Sequence, residues 1–353
     1  MDKKAPAVTA RGRRAWRWGI LFLGLVLVAA AVAYGAFGRR LRPTPTPPPS
    51  LVTILSPTPR LPAQPSDLRA LRRPGQTFLT WRESPDADRY RIYRHTVPID
   101  ARTIVAATRI AEVPRGSGYY RREAEGCPSA PSVSPISQTR FVITDVQGVG
   151  LGPELPEGSG LFVATTQRAG TYYYAVTAVT GELENRSDFE RNTAGPVVES
   201  VAPIGAVRVW ESPSSLGAVY TQWMPDTGWN PGLEGYAHNF YVGLPQEYFA
   251  RPDDFPLVVV LHDYDEAYRV PQDAETGGDG VPGDWSAIYV LPDDRCRTLW
   301  YGYGDWLQAP GDPPPPGGMV VNYTERRLLA MLAFLLRTYR VDEERVYLYG
   351  SGA

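Results

Sequence analysis

Residue types that can carry out nucleophilic catalysis lie where two apolar runs of this chain end. Ser351 stands in a Gly-Ser-Gly turn after the run from Val346 to Tyr349, and His262 and Asp263 follow the run PLVVVL. A serine hydroxyl attacks a carbonyl carbon once a base accepts its proton, and an imidazole is the commonest base. These side chains can act together only if the fold brings the ends of both runs to one place.

The elements around these residues are predicted to be strands of a sheet and one helix. VRVWE, AVYTQWMP and NFYVGLP alternate apolar and polar residues, whereas PLVVVLHDY and SAIYVLPDD are continuous apolar runs, typical of strands buried on both faces of a parallel sheet. In NYTERRLLAMLAFLLRTYRV, Asn322 and Glu325 have the spacing of a capping box, and apolar residues mark one helical face. That face consists of Leu328, Leu332, Leu335 and Tyr339. The run after the helix returns as a strand, which predicts a βαβ unit with a parallel pair of strands.

Three stretches in the second half of the chain follow one another in the order of a known family. They are FYVGLPQEYFARPDDFPLVVVLHDY, WYGYGDW and NYTERRLLAMLAFLLRTYRVDEERVYLYG. Together, from about residue 205 to residue 353, they resemble the α/β-hydrolases, and among these the esterase and polyhydroxyalkanoate-depolymerase-like branch. The resemblance implies a serine ester hydrolase. It also implies that Ser351, on a sharp turn after a strand, is the nucleophile candidate, and that His262 and Asp263 belong to the loop that holds the oxyanion.

Two registers are open at the turn itself. In the favoured register, Gly350 is the first glycine of Gly-x-Ser-x-Gly, which places Gly352 at the nucleophile's position and leaves no hydroxyl to attack. In the alternative register Ser351 is the nucleophile, and the bulky Tyr349 stands where the turn needs a small residue.

Two further departures from the family pattern bear on activity. Asp263 stands where the family has glycine, and its carboxylate opposes the negative charge that develops on an oxyanion. The acid and the histidine that follow the nucleophile in the family's order do not occur in the sequence, which ends at Ala353. The region is therefore predicted to be catalytically incomplete as given, and whether the chain is an enzyme is left open. Two alternatives remain: the front fragment of an active serine carboxylesterase or depolymerase, and a non-catalytic adhesive or polymer-binding surface protein.

The preceding part of the chain is predicted to form a β-sandwich. DLRALRRPG, QTFLTWRESPDA, DRYRIYRH, TRFVITDV and GTYYYAVTAVTG read as short alternating strands separated by turn residues. Trp81, Tyr90, Tyr93 and the run TYYYAVTAV resemble the core positions of the fibronectin type III family. Residues 97–160, which include Cys127, exceed what such a domain needs and are predicted to be loops on the sandwich.

The N-terminal part is predicted to be a membrane anchor. Trp18 to Phe37 is an uncharged apolar run of the length that a spanning helix needs, and the excess of basic residues before it predicts a cytoplasmic N-terminus. Cleavage of a signal peptide after Ala33 is the alternative. The predicted localisation is a single-pass cell-membrane protein with its bulk outside the cytoplasm.

The predicted fold class is thus multidomain: a transmembrane helix, an all-β sandwich of the fibronectin type III kind, and an incomplete α/β-hydrolase-like parallel sheet. The predicted segments are a basic tail at 1–17, a signal-anchor helix at 18–38, a Pro-rich linker at 39–65, the sandwich with its insertion at 66–203, and the hydrolase-like domain at 204–353.

The net charge and the cysteine content limit which other partners and disulfides the sequence predicts. A net charge of -2 does not indicate nucleic-acid binding. The acidic loop at 263–284 lacks the residue spacing of a calcium loop, so neither a metal nor a cofactor is predicted. Cys127 and Cys296 fall in different predicted domains and are expected to be unpaired. The expected partners are the lipid bilayer, through the N-terminal helix, and an ester or polymer substrate or a cell-surface partner.

Overall fold

The computed structural model of the protein describes residues 60–120, 140–146, 150–225, 237–262, 286–293, 300–304 and 318–350. All of them belong to one compact unit, Pro59–Ala353. The first ten strands are β1 (Ser66–Arg73), β2 (Gln76–Arg82), β3 (Arg89–His95), β4 (Thr108–Pro114), β5 (Asp145–Val146), β6 (Gly150–Leu151), β7 (Ser159–Thr165), β8 (Gly170–Thr180), β9 (Leu183–Glu184) and β10 (Thr193–Glu199). They are followed by β11 (Val207–Glu211), β12 (Gly217–Trp223), β13 (Ala237–Gly243), β14 (Phe255–Leu261), β15 (Ile288–Pro292), β16 (Tyr303–Gly304), β17 (Val320–Val321), helix α1 (Tyr323–Thr338) and β18 (Val341–Gly350).

Eight of the first ten strands build two antiparallel sheets that pack face to face, and β5 and β6 form a separate two-stranded antiparallel sheet. One sheet has the order β1-β2-β7, and the other has the order β10-β8-β3-β4 with β9 paired to β8. Alternate residues of both sheets point into the shared core, as the period of a strand requires. Trp81 of β2 lies in this core edge-on to Tyr90 of β3, with ring centroids 5.4 Å apart. The two sheets therefore form a β-sandwich.

The described residues of the insertion at 97–160 contain strand and core residues where surface loops were predicted. It contributes β4, which pairs with β3 along the edge of the second sheet. It also contributes buried apolar side chains, among them Tyr120, Phe141 and Leu155. A loop prediction was reasonable from the content of Gly, Pro and Ser, but these side chains have a second sheet to pack against. Cys127 and Cys296 lie outside the described residues.

The second part of the chain forms one six-stranded sheet with the order β11-β12-β13-β15-β14-β18. Neighbours from β11 to β15 are antiparallel, and only β15, β14 and β18 run parallel to one another. The predicted parallel sheet is thus corrected to a mixed sheet. The connection between β11 and β12 spans only residues 212–216, which is too short for the crossover that a parallel pair requires.

The mixed sheet is covered by a different kind of layer on each face. On one face, α1 packs Met331, Phe334 and Leu335 against apolar residues of the sheet. On the other face, Val219, Trp223 and other residues of β11 to β13 share a core with β2, β7 and the insertion of the sandwich. The sandwich thereby takes the place of a covering layer, because an apolar sheet face must be buried against another element.

Helix α1 begins directly after Asn322, as the capping-box spacing predicted, but the hydrogen bonds of Asn322 and Glu325 are not those of a capping box. The Asn322 side chain makes no hydrogen bond to the helix backbone, and its Nδ2 instead donates to Oε2 of Glu325 at 2.7 Å. The backbone N–H of Glu325 is satisfied by the carbonyl of Tyr301, at 3.1 Å. The start of the helix is therefore held by another loop of the chain.

The predictions of a transmembrane helix and of a single-pass membrane location are corrected. Where the structure describes the chain, it is mostly β-sheet with one α-helix, and none of its helices is long and apolar enough to cross a bilayer. Helix α1 has 16 residues, whereas a span needs about 20 predominantly apolar ones. The segment at 18–38 lies outside the described residues, and so do the tail and most of the linker.

Candidate active site

The ends of β14 and β18 lie side by side. These strands are parallel neighbours, and their register pairs Leu261 with Gly350, the last residue of each strand. His262 directly follows one of them, and Ser351 directly follows the other. Neighbouring strands are about 4.8 Å apart. The structure therefore brings the ends of the two runs that carry the candidate residues to one edge of the sheet, although Ser351 and Asp263 themselves lie outside the described residues.

A carboxylic acid that sequence reasoning missed ends the third parallel strand. The register of β14 with β15 pairs Val259 with Val290, so that continuing it sets Asp293 opposite His262. Asp293 is 4% exposed, and its backbone N–H donates to the carbonyl of Asn239 at 2.9 Å. Its position directly after the apolar run SAIYVLP was the available signal, since ligand sites of open α/β sheets lie beyond the carboxyl ends of the strands.

A buried arginine holds this strand end. Arg327 of α1 is 5% exposed, and its Nη1 donates to the carbonyl oxygen of Asp293 at 2.8 Å. The predicted apolar face of α1 did not include it. In the structure, Arg327 lies on the buried side, one helical turn before Met331. A basic side chain among apolar neighbours on a helix can therefore indicate a buried residue that donates a hydrogen bond to the end of a nearby strand.

An aromatic residue holds the end of the neighbouring strand. Nε1 of Trp300 donates to the carbonyl oxygen of His262 at 3.0 Å. The indole also lies edge-on to the imidazole, with ring centroids 4.6 Å apart and an interplanar angle of 62°. Trp300 belongs to the aromatic loop WYGYGDW, and its φ of 60° is left-handed. The sequence marked this loop as a family feature but did not indicate its contact with His262.

The next two residues of this loop, Tyr301 and Gly302, pack against the start of the helix and the strand before it. The carbonyl of Tyr301 accepts the helix N–H of Glu325, and a side chain at Gly302 would collide with the backbone oxygen of Val321. Only glycine allows so close an approach of two backbones. The segment 300–304 thus connects His262 to the N-terminal end of α1 by direct contacts.

The insertion of the sandwich reaches the same edge of the mixed sheet. Trp223 is the last residue of β12, and β12 points in the same direction as β14 and β15. Its ring lies 5.1 Å from that of Phe78 and 5.3 Å from that of Phe141, measured between centroids. The hydroxyl of Tyr120 is hydrogen-bonded to that of Thr221 on the same strand. The sandwich therefore borders the edge that carries the candidate residues.

The described residues of this edge offer an imidazole and a carboxylic acid, and in the sequence a serine directly follows Gly350. Such a set can transfer a proton and attack a carbonyl group. No group of three or more His, Cys, Asp or Glu side chains that could hold a metal ion occurs in the described ranges. The acidic loop at 263–284 lies outside those ranges.

Comparison with known proteins gives little beyond this geometry. No protein family and no curated protein matches the chain. Among solved structures, a thermostable esterase is 12% identical with a TM-score of 0.23, and the match covers 81% of this chain and 70% of that one. A ferulic acid esterase is 19% identical with a TM-score of 0.23, and the match covers 38% of this chain and 48% of that one. Both similar structures are esterases, but a likeness this low carries no argument about the function of this chain.

Proposed function

We propose that the mixed sheet and α1 form an ester-hydrolase region whose site lies at the carboxyl ends of β14, β15 and β18. The observation that carries this proposal is the pairing of Leu261 with Gly350, which brings the strand before His262 and the strand before Ser351 into register. A strand that ends in a sharp turn can raise a serine hydroxyl above the edge of the sheet. Loops at the carboxyl ends of neighbouring parallel strands are where such sheets bind ligands.

The proposed chemistry is acyl transfer. The Ser351 hydroxyl adds to the ester carbonyl carbon, its proton passes to a base, and the carbonyl oxygen becomes an oxyanion. Backbone N–H groups of the turn and of the loop after His262 hold that oxyanion. The oxyanion then collapses and the C–O bond to the alcohol breaks, so the alcohol leaves with the proton from the base and the acyl group stays on Ser351. Water gives a proton to the same base, attacks the acyl group and releases the acid, and the Ser351 oxygen takes the proton back. The imidazole of His262 is the first base to test, since it follows the strand next to that of Ser351.

The β-sandwich is proposed to be of the fibronectin type III kind and to serve this region as a covering layer. Its two sheets and the positions of Trp81 and Tyr90 in the core support the assignment. The core shared by Phe78, Phe141 and Trp223 supports the covering role, because it joins the sandwich to the sheet that carries the site.

The first experiment compares Ser351→Ala with Ser187→Ala, an exposed serine of the sandwich, in the full chain. The readouts are hydrolysis of short p-nitrophenyl esters and covalent labelling by a fluorophosphonate. We expect Ser351→Ala to lose at least about 100-fold in kcat/KM and all labelling, because no other group replaces the nucleophile. Ser187→Ala should behave as the unaltered protein. Equal labelling of both variants would contradict the proposal.

The sequence supports a second candidate function, the binding of an ester or polymer without turnover. In the register that starts Gly-x-Ser-x-Gly at Gly350, Gly352 occupies the nucleophile's position and supplies no oxygen. The same comparison separates the two functions: a protein that is never labelled and never hydrolyses esters, yet still retains a polyester or an ester analogue in a binding assay, would favour this second function.

A further inference from the structure

We propose that the sandwich-facing side of the mixed sheet, where β12 ends, holds a second binding site that takes a neutral carbonyl oxygen. Its donors are Nε1 of Trp223 and Nδ2 of Asn239, on side chains that are 2% and 4% exposed. If the region hydrolyses esters, this site binds a part of the substrate away from the reacting ester. Only that role rests on the proposed function, because the binding itself requires no turnover.

The indole N–H of Trp223 is a buried donor without an acceptor. Its ring packs against Phe78 and Phe141, but Nε1 has no hydrogen-bond partner among the residues that the structure describes. An indole N–H can only donate, and a buried donor that stays unpaired costs free energy. Trp223 is the last residue of β12, at the edge of the sheet. An oxygen atom that enters from this edge therefore gains a hydrogen bond that the described residues do not make among themselves.

The amide of Asn239 supplies a second donor, and its orientation is fixed by hydrogen bonds. Oγ1 of Thr221 donates to Oδ1 of Asn239 at 2.8 Å. A hydroxyl has a single hydrogen, so the hydroxyl of Tyr120, which is bonded to the same Oγ1, acts as a donor to it. Oδ1 of Asn239 is thus held by Thr221, and Nδ2 has no acceptor within the described ranges. These bonds leave the N–H groups of the amide available to a ligand.

The two donors lie on one face of neighbouring strands. Thr221 pairs with Asn239, and Trp223 pairs with Ala237. Paired residues, and residues two apart on a strand, share a face, and here it is the face whose core includes the sandwich. Trp223 and Asn239 are therefore diagonal neighbours, about 7 to 8 Å apart, a separation that an aromatic side chain can span. One carbonyl group is within reach of both nitrogen atoms.

The surroundings favour a neutral acceptor over an anion. Both donors are uncharged, and Asp293 ends the next strand, with its backbone N–H bonded to the carbonyl of Asn239 at 2.9 Å. Arg327 approaches the same strand end from the opposite face, where α1 lies. A carboxylate ligand would meet the aspartate as a like charge in a poorly solvated place. An ester, amide or ketone carbonyl offers two lone pairs without a charge.

An unpaired indole alone does not identify a site, and Trp81 is the comparison. Its Nε1 is also buried without a partner among the described residues. That ring lies against Gly160, where even an added Cβ would overlap the indole, and it belongs to the core of the sandwich. A ligand atom therefore finds no room there. Trp81 is the matched control, with the same unpaired group in a closed place.

The test follows the indole N–H signals of the full chain by nitrogen-edited NMR during titration with N,N-dimethylbutyramide, a neutral carbonyl acceptor. Sodium butyrate is its charged counterpart of equal chain length. Trp223→Phe and Trp81→Phe assign the two signals, because each variant lacks one of them. We expect the Trp223 signal to move saturably with the amide and the Trp81 signal to stay in place. The affinity for butyrate should be at least about fivefold weaker, because of the nearby carboxylate.

Asn239→Asp keeps the shape of the side chain and replaces its N–H donors by an acceptor. It should weaken binding of dimethylbutyramide at least about tenfold, because the carbonyl then loses a buried donor. The control is Asn192→Asp, a change in the sandwich at a side chain that is 1% exposed, and it should bind as the unaltered protein does. Thermal denaturation shows whether each variant folds. If Asn239→Asp does not fold, Trp223→Phe replaces it and should bind at least about fivefold more weakly than Trp81→Phe.

The outcomes separate this inference from the proposed function. Saturable binding at Trp223 in a protein that hydrolyses no ester supports the site, and only the hydrolase proposal then fails. A Trp223 signal that responds to neither compound overturns the site. A nuclear Overhauser contact from that N–H to a bound water that the amide does not displace overturns it too. Equal affinities of Asn239→Asp and the unaltered protein remove Asn239 from the site, and tighter binding of butyrate overturns the neutral carbonyl.

Discussion

Leu261 and Gly350 are paired at the ends of two adjacent parallel strands, and this pairing places side by side the strand ends that precede His262 and Ser351. A Cβ placed on Gly350 would lie 3.7 Å from Cβ of Leu261, which is an ordinary van der Waals contact. The two strand ends thus approach closely but leave room for a methyl group.

The first prediction concerns this spare room. Gly350→Ala should leave the free energy of unfolding unchanged or raise it by up to about 1 kcal/mol, because alanine restricts the unfolded chain and meets no clash. Thermal denaturation measures this effect. If Ser351 is the nucleophile, Gly350 occupies the first variable position of Gly-x-Ser-x-Gly. In that case Gly350→Ala should hydrolyse esters at a rate within about twofold of the unaltered protein. A loss of stability above about 2 kcal/mol would show that the strand ends are more tightly packed than their contact distance indicates.

The second prediction concerns the core that joins the sandwich to the mixed sheet. Trp223 is 2% exposed, and its carbonyl accepts a hydrogen bond of 2.8 Å from the side chain of Gln76. Trp223→Ala should lower the free energy of unfolding by about 3 to 5 kcal/mol. Calorimetry should show one transition that moves as a whole, because both layers lose the same contacts.

The control for Trp223→Ala is Val198→Ala, in which a side chain that is 75% exposed on β10 is shortened. It should change the free energy of unfolding by less than about 0.5 kcal/mol. Two separate transitions in the calorimetric trace of Trp223→Ala, with only one of them shifted, would contradict a shared core.

The third prediction concerns Arg327 of α1, which donates a hydrogen bond to the backbone at the end of β15. Arg327→Met keeps most of the side-chain volume but removes the donor to the Asp293 carbonyl, and an unsatisfied buried acceptor costs about 1 to 3 kcal/mol. Urea denaturation should report a loss of this size. Arg326→Met, the matched change at the exposed neighbouring position, should cost less than about 0.5 kcal/mol. Equal losses for the two variants would mean that the hydrogen bond to Asp293 is not what Arg327 contributes.

The fourth prediction concerns acid stability and the outer face of the sandwich. Burial alone would raise the pKa of Glu184, but its hydrogen bonds outweigh burial and lower that pKa from 4.5 to about 2. The donors are Arg186, Thr177, Tyr93 and Arg91. A carboxylate with a lowered pKa stabilises the fold fully above its unfolded value, and this contribution is lost as the pH falls from about 4.5 toward 2.

We expect this loss to be about 2 kcal/mol, because exposure of part of the cluster to solvent weakens it. The free energy of unfolding is measured by denaturant titration at pH values from 7 down to 2. Glu184→Gln should be less stable at pH 7 and should lose this part of the acid dependence. Glu182→Gln, at a side chain that is 95% exposed, should keep the full dependence. If the free energy of unfolding of Glu184→Gln depends on pH as that of the unaltered protein does, Glu184 does not contribute to acid stability.

Local patterns of the sequence were sufficient for the kinds of element and for some of their core residues. The apolar run before His262 is a buried strand, Trp81 and Tyr90 lie in the core of the sandwich, and α1 begins directly after Asn322. These features depend on alternation within a strand, on periodicity within a helix and on turn residues, all of which act over a few neighbouring residues. The predicted membrane span is not supported by any helix of the described residues. The predicted parallel sheet is in fact mixed, since the continuity of an apolar run does not determine the direction of the strands beside it.

The tertiary structure alone decided which strand ends are neighbours. His262 meets the strand of Ser351 because β18 adds next to β14 and not next to β15, and Asp293 joins them because β15 lies on the other side of β14. It also decided that Arg327 is buried and that Phe141, in a segment predicted to be a loop, packs against Trp223. The physical reason is that strand order and the covering of sheet faces depend on contacts between residues far apart in the chain. Each such contact is stabilised only when both partners are already in place, so no short stretch of sequence contains it.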